Sequence, residues 1–287
     1  MHLKSTRRLA IPAALLIILF AALVNGCAAA GQPDAQASPS AGISIVPTEP
    51  VWTFPLSKDI MADAESFLTL ANADNRLSDK DKPDDLVNIT VRKSKDSAIQ
   101  LRRPVSAALK EMFAAADADG VKLYAHSGYR SYHTQDVMHY NRVKDIGYDD
   151  KVVQQAGASD HQTGMGIDII SASWIGSRLT ARFAETKEGQ WIAAHCAEYG
   201  FIIRYPEGKE DITKIIFEPW HLRYVGVEAA RYITDNALTL EEFWDQWNGY
   251  QDGSWAPDGE RDTQSVDAVS GTPTVIVEDV LEIVDIF

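Results

Sequence analysis

The chain has 287 residues, 45% of them hydrophobic and 24% charged, with 41 acidic against 27 basic side chains and a formal net charge of −14 at pH 7. That length accommodates one or two domains, and that apolar content a globular core. The acidic balance argues against a nucleic-acid binder, which needs basic patches, and two cysteines are too few for a disulfide scaffold.

The N-terminus carries Lys4, Arg7 and Arg8 ahead of an apolar run from Leu9 to Val24. This is the pattern of a secretory signal with a basic n-region and a short h-region. A transmembrane anchor is the alternative, but the run is short for a span of ~20 residues and Pro12 interrupts it. The run ends in Leu23-Val24-Asn25-Gly26-Cys27, which resembles a bacterial lipobox with an unusual asparagine. An ordinary cleavage site beside an unpaired cysteine is the alternative there. On the lipobox reading, residues 1–26 are a signal peptide and Cys27 becomes the lipidated first residue, a membrane anchor in the bacterial cell envelope. Residues 27–57, rich in Ala, Gly, Ser, Pro and Gln, read as a flexible tether.

The folded domain is expected over residues 58–250. Ile60 to Leu70 has helical spacing, and a polar turn region follows ahead of a strand. Pro104 opens a helix at a position where its missing N–H is harmless. Val105, Ala108, Leu109, Met112 and Phe113 give that helix one apolar face. Gly120 ends it, and Val121 to Ala125 reads as a strand.

The strand delivers Ser127-Gly128-Tyr129-Arg130-Ser131. Arg130 at a strand end is a candidate for binding a substrate carboxylate, which a guanidinium matches bidentately; a structural salt bridge is the alternative. A helix from Tyr132 to Ile146 is stopped by Gly147. His133 and His139 on it are not spaced as a single-face pair, and His126 lies beside the arginine block.

The central stretch is Ser159-Asp160-His161-Gln162-Thr163-Gly164-Met165-Gly166-Ile167-Asp168. It sets an imidazole and a carboxylate seven residues apart with two glycines between them, and the apolar residues after it place Asp168 on or near a buried strand. A buried aspartate needs a cation or several donors. Imidazole plus carboxylate is a first-row metal pair, with zinc the usual occupant. The third ligand must come from elsewhere, and Glu218-Pro219-Trp220-His221 offers a carboxylate and a histidine.

Between these blocks, Trp191 to Tyr199 reads as a helix capped by Gly200, with His195 at packing or surface and Cys196 as a small buried apolar residue. Phe201 to Tyr205 and Ile212 to Phe217 read as an antiparallel hairpin around Pro206-Glu207-Gly208 that carries Glu218 and His221 to the sheet end. Pro219 marks a strand end or an edge. A helix near Val227 to Asn236 precedes a capping box, Thr239 with Glu242, that opens a last helix through Trp247. Residues 251–287 form an acidic tail that reads as an added strand, a partner-binding segment or disorder.

Three blocks in this order (S-G-Y-R-S at 127–131, S-x-H-x-x-G-x-G-x-D at 159–168 and E-x-W-H at 218–221) resemble the VanY-type zinc D,D-carboxypeptidases of peptidase family M15. Gly166 stands where that family usually has alanine. The resemblance runs from about Leu68 to Trp247. It implies a single α+β domain of the Hedgehog/DD-peptidase type, an antiparallel sheet carrying zinc with helices packed on one side. It implies His161, Asp168 and His221 as zinc ligands and Glu218 as general base. Arg130, Gln135 and Ser159 then bind substrate, with Arg130 on the free C-terminal carboxylate. The implied partners are peptidoglycan stem peptides, and the expected state is a monomer. The alternatives are an L,D-carboxypeptidase or D,D-dipeptidase of the same family, or a wall-binding lipoprotein without catalysis.

Overall fold

A computed structural model describes residues 52–63, 67–150 and 152–257. The chain divides into two units, 1–49 and 50–287, and all described residues lie in the second. The signal segment, Cys27, most of the expected tether and residues 258–287 lie outside the described residues. Among the described residues no helix is long and apolar enough to cross a membrane.

The helix opened by Pro104 is α2, Arg103–Ala118, and it buries Val105, Leu109, Met112, Phe113 and Ala116. Ahead of it, α1 (Lys58–Ala62) leads to a small antiparallel pair, β1 (Leu86–Asn88) with β2 (Gln100–Arg102). After it come β3 (Leu123–Ser127), α3 (Tyr132–Ile146), β4 (Gly166–Ser171) and α4 (Lys187–His195). Then follow β5 (Phe201–Ile203), α5 (Glu210–Thr213), β6 (His221–Tyr224), α6 (Val227–Asp235) and α7 (Leu240–Asp252). The main sheet is antiparallel in the order β3-β4-β6-β5.

Strand alternation sorts this sheet into two faces. Ala125 pairs with Ile169, and Ile167 with Leu222. This apolar face joins α2 and Trp191 and Ile192 of α4 in one buried cluster. On the opposite face Ser127 pairs with Asp168, and Asp168 with His221. The core therefore backs the sheet, and its front carries the chemistry.

Four expectations are corrected. Of the helix expected over Ile60 to Leu70, the described residues show Lys58–Ala62 and a helical Phe67, while Leu68 to Leu70 are irregular. The carbonyls of Phe67 and Thr69 accept from Arg223 Nη2 at 3.0 and 2.6 Å, and that of Leu68 from the Trp244 indole at 2.7 Å. Side chains from the far end of the chain thus take the bonds a helix would use. The strand expected over Ile212 to Phe217 is absent. Its place holds α5 and Lys214 in the left-handed region, φ 63°. The Thr213 hydroxyl donates to the Ile215 carbonyl at 3.1 Å and accepts from its N–H at 3.3 Å, a local closure that competes with a ladder. The hairpin partner of β5 is β6 instead.

Helices also reach beyond one side. Ile202 of edge strand β5 sits in a second cluster with Ala229, Ala230 and Ile233 of α6 and Leu240 and Phe243 of α7. A strand apolar on both faces is covered on both. Finally, packing starts before Lys58, because Phe54 and Leu56 are buried in that second cluster. Phe54 lies 4.9 Å from Trp247 and 5.7 Å from Trp255, ring centre to ring centre, so the packed chain also runs past residue 250.

Candidate metal centre and active site

His161 lies in a 3₁₀ turn, Asp160–Thr163, between Ser159 and a left-handed Gly164 at φ 68°. The Ser159 hydroxyl accepts from the His161 N–H at 3.4 Å, so this side chain shapes the turn that carries the imidazole. His161 Nδ1 donates to the Gly128 carbonyl at 2.7 Å. That bond fixes the tautomer and turns Nε2 to Asp168 Oδ2, 3.4 Å away. His221 Nδ1 donates to Asp168 Oδ1 at 2.9 Å. One ligand atom from each of His161, Asp168 and His221 lies within 4.8 Å of the others, and all three residues are buried.

Two glycines hold this arrangement tight. A Cβ on Gly128 would come within 2.6 Å of the Gln100 carbonyl oxygen, so only glycine lets the strand end pass there without a shift. A Cβ on Gly166 would meet the Asp160 and His161 backbone at 3.0 and 3.1 Å. The turn carrying His161 therefore sits a few tenths of an ångström closer to β4 than an alanine at 166 permits.

Burial opposes ionisation of Asp168, yet the two imidazoles hold its carboxyl well below the usual carboxylate range. Burial lowers His161, with Asp168 acting against it. For His221 burial is outweighed, and the Asp168 hydrogen bond and charge raise it. A carboxylate kept charged at full burial between two imidazoles is a costly arrangement without a cation. An N, N, O donor set converging at this distance suits zinc, and His221 Nε2 is buried with no partner among the described residues.

Around this centre lies a cavity of about 300 Å³, lined in part by Arg130, Gln135, Ser159, Tyr205, Glu218 and Trp220. Glu218 sits just ahead of β6; its N–H donates to the Tyr205 carbonyl and its own carbonyl accepts from the His221 N–H, each at 3.0 Å. Burial pushes its carboxyl up to about 7. Arg130 Nη1 donates to Gln135 Oε1 at 2.6 Å, and Nη2 to the Ser127 hydroxyl at 3.3 Å. Gln135, readable in sequence as an exposed helix residue, is buried at 1% exposure and donates to the Gln154 carbonyl at 2.6 Å. His126 bonds Ser94 at 2.8 Å and does not line the cavity. His139 lies 3.5 Å from Asp149, and His195 2.9 Å from Glu198, both outside the site. Cys196 is buried, with its thiol pushed up to about 12.

Beneath the site lies a charge cluster not foreseen from sequence. Arg204, Arg223 and Asp160 are fully buried. Arg204 Nε lies 2.7 Å from Asp160 Oδ2, and its other nitrogens donate to Glu241 at 2.8 and 2.6 Å. Arg223 donates to Asp160 Oδ1. Two acids thus face two arginines, and Asp160 is the neighbour of His161. Strand alternation was the available signal, since Ile202 and Arg204, and His221 and Arg223, share faces.

The range matched in known proteins spans all three blocks. A family model described as VanY, D-alanyl-D-alanine carboxypeptidase, matches residues 98–227. YodJ of Bacillus subtilis (strain 168), assigned by name as a carboxypeptidase, is 44% identical over 193 residues, 66% of this chain and 70% of that one. The chain belongs to the VanY carboxypeptidase family. Within it, the LD-carboxypeptidase LdcB is 45% identical to this chain with a TM-score of 0.59, covering 61% of this chain and 84% of that structure. A VanY D,D-pentapeptidase from a VanB-type resistance cassette, solved with Zn(II), is 30% identical with a TM-score of 0.51, covering 63% and 99%. The α+β fold expected from the sequence is the fold of these structures.

Proposed function

We propose that this protein is a zinc-dependent D,D-carboxypeptidase that removes the C-terminal D-alanine from peptidoglycan stem peptides. The observation that carries the reading is the meeting of His161, Asp168 and His221 with Glu218 and Arg130 in one cavity. His161, Asp168 and His221 would hold the metal. Bound zinc supplies a Lewis acid for the scissile carbonyl and brings the pKa of water towards ~7. Glu218, ionised, accepts the proton of the attacking water and passes it to the leaving amine. Arg130, steadied by Gln135 and Ser127, presents its remaining N–H groups to the peptide's terminal carboxylate. An anion site of this kind is what an exopeptidase needs and an endopeptidase lacks. Ser159 acts through the turn that carries His161 and through its exposure to the cavity.

The reading includes attachment to the outer side of the bacterial membrane through a lipidated Cys27. The apolar run Leu9 to Val24 ending at Gly26-Cys27 supports it. Membrane fractionation that follows Cys27, with release or failed processing in Cys27→Ala, is the expected result; a soluble wild-type chain beginning elsewhere would remove this part.

A second reading is L,D-specificity, favoured by the 45% identity to an LD-carboxypeptidase against 30% to the D,D-pentapeptidase. Mass spectrometry of defined tetra- and pentapeptide muropeptides incubated with the purified protein separates the two. Loss of one D-alanine from the pentapeptide is expected. Cleavage of the tetrapeptide alone would establish the L,D reading, loss of a dipeptide would establish a D,D-dipeptidase, and no hydrolysis with zinc bound would leave a wall-binding protein.

A further inference from the structure

We propose that Tyr205 is a further catalytic residue, whose phenol donates a hydrogen bond to the carbonyl oxygen of the bond being cleaved. The inference rests on the peptidase reading and deepens it. Tyr205 follows β5, is 3% exposed and lines the same cavity as Arg130, Glu218 and His221. Its ring is fixed by packing. It stacks on His221 at 5.1 Å and 28°, and the Arg204 guanidinium lies 4.9 Å from its centre. Its carbonyl anchors the backbone of Glu218. The phenol therefore has little freedom relative to a metal ligand and to the base.

Hydrogen-bond accounting then singles out its proton. A phenol offers one donor and accepting lone pairs. The Tyr205 oxygen accepts from Gln154 Nε2, which uses a lone pair and turns the O–H away from Gln154. Among the described residues the Tyr205 O–H makes no hydrogen bond of its own. Buried tyrosine hydroxyls ordinarily find a partner, so an unspent donor opening onto a cavity points to an acceptor that arrives with the substrate. Two substrate groups qualify. The terminal carboxylate is matched by the Arg130 fork. The scissile carbonyl oxygen gains negative charge as water attacks, and a fixed neutral donor there is worth more in the transition state than in the ground state.

The test is Tyr205→Phe, which removes one oxygen and leaves the ring on His221. Turnover of an acyl-D-Ala-D-Ala peptide, zinc content by elemental analysis, and affinities for the uncleaved peptide and for its phosphinate analogue are measured together. The expected result is a kcat about 10²-fold lower, the usual loss for one such donor. Zinc stays stoichiometric and KM is held within about twofold, while phosphinate affinity falls in step with kcat/KM. A merely structural role would weaken phosphinate and peptide binding alike. Unchanged kcat overturns the assignment, and so does a loss confined to KM, which would place the phenol on the terminal carboxylate. Absence of turnover of this peptide by wild type overturns this inference together with the D,D-carboxypeptidase reading; turnover by wild type with unimpaired Tyr205→Phe overturns the inference alone.

Discussion

Glu218 and Asp168 stand on one cavity and are pushed in opposite directions, the first up by burial and the second down by two imidazoles. That split fits the proposed roles, in which the group that stays charged would hold a cation and the group poised near neutrality would move protons. Glu218→Gln should keep its zinc by elemental analysis while kcat falls roughly 10²-fold or more; loss of the metal would mark Glu218 as a ligand. The same carboxyl predicts a pH effect in the metal-free protein. Below about pH 4.5 folded and unfolded chains both carry the proton. As pH rises to about 7 the unfolded chain ionises first, so a folded-state pKa raised to about 7 means stability is lost across that window. Urea midpoints of chelated wild type should therefore fall relative to Glu218→Gln between pH 4.5 and 7, and parallel curves would show that Glu218 titrates normally. At this scale the sequence was informative: residue type and spacing paired His161 with Asp168 and offered Glu218 and His221 as further candidates, and the family resemblance sorted these into ligands and base. Tyr205 and Asp160 were not legible, since their importance lies in which neighbours they meet across separate stretches of the chain.

Elements explain why the ligands keep their angles. The end of β3 gives a carbonyl to His161, and β4 and β6 put Asp168 and His221 opposite each other in register. Gly128 is the point where this depends on a missing side chain. Gly128→Ala must move the strand end away from β2, at a cost of order 1–3 kcal/mol for overpacking. It should also weaken zinc binding about 10- to 100-fold, the usual effect of disturbing a ligand's hydrogen-bond partner. Competition with a fluorescent chelator measures this, and unaltered affinity would mean that the carbonyl is dispensable. Helices α2, α3, α6 and α7 were readable from apolar periodicity, Pro104, Gly147 and the Thr239–Glu242 box, all of them local signals. The segment 212–217 was misread because its apolar residues suit a strand, while one threonine hydroxyl and a left-handed lysine decide the local path. Likewise Leu68 to Leu70 leave the expected helix, and the carbonyls of Phe67, Leu68 and Thr69 accept from Arg223 and Trp244, partners more than 150 positions along the chain.

For the molecule as a whole, the buried charges tie the ends of the domain to its middle. Glu241 at the start of α7 holds Arg204, accepts from Asn72 at 3.2 Å, and through Arg204 reaches Asp160 beside His161. Glu241→Ala leaves two arginines buried against one aspartate, and removing a partner from such a cluster costs ~3–5 kcal/mol. Urea unfolding should show a loss of this order, and a change below about 1 kcal/mol would place Glu241 with ordinary surface pairs. The far ends meet as well, with Thr53 donating to the Tyr250 hydroxyl at 3.2 Å. These long-range links give the domain a folding order. Contacts across more than 150 residues close late, because loop entropy must be overcome before they form. The turn that aims His161 rests on Asp160, and one of its two arginines, Arg204, gains a second acid, Glu241, when α7 docks. On the proposed zinc reading, metal capture would then be a finishing step, a sign that the chain has been completed rather than a seed around which it collects. In refolding experiments, occupancy followed by chelator fluorescence should lag the burial of the core, and a chain ending before Thr239 should not retain the metal at all.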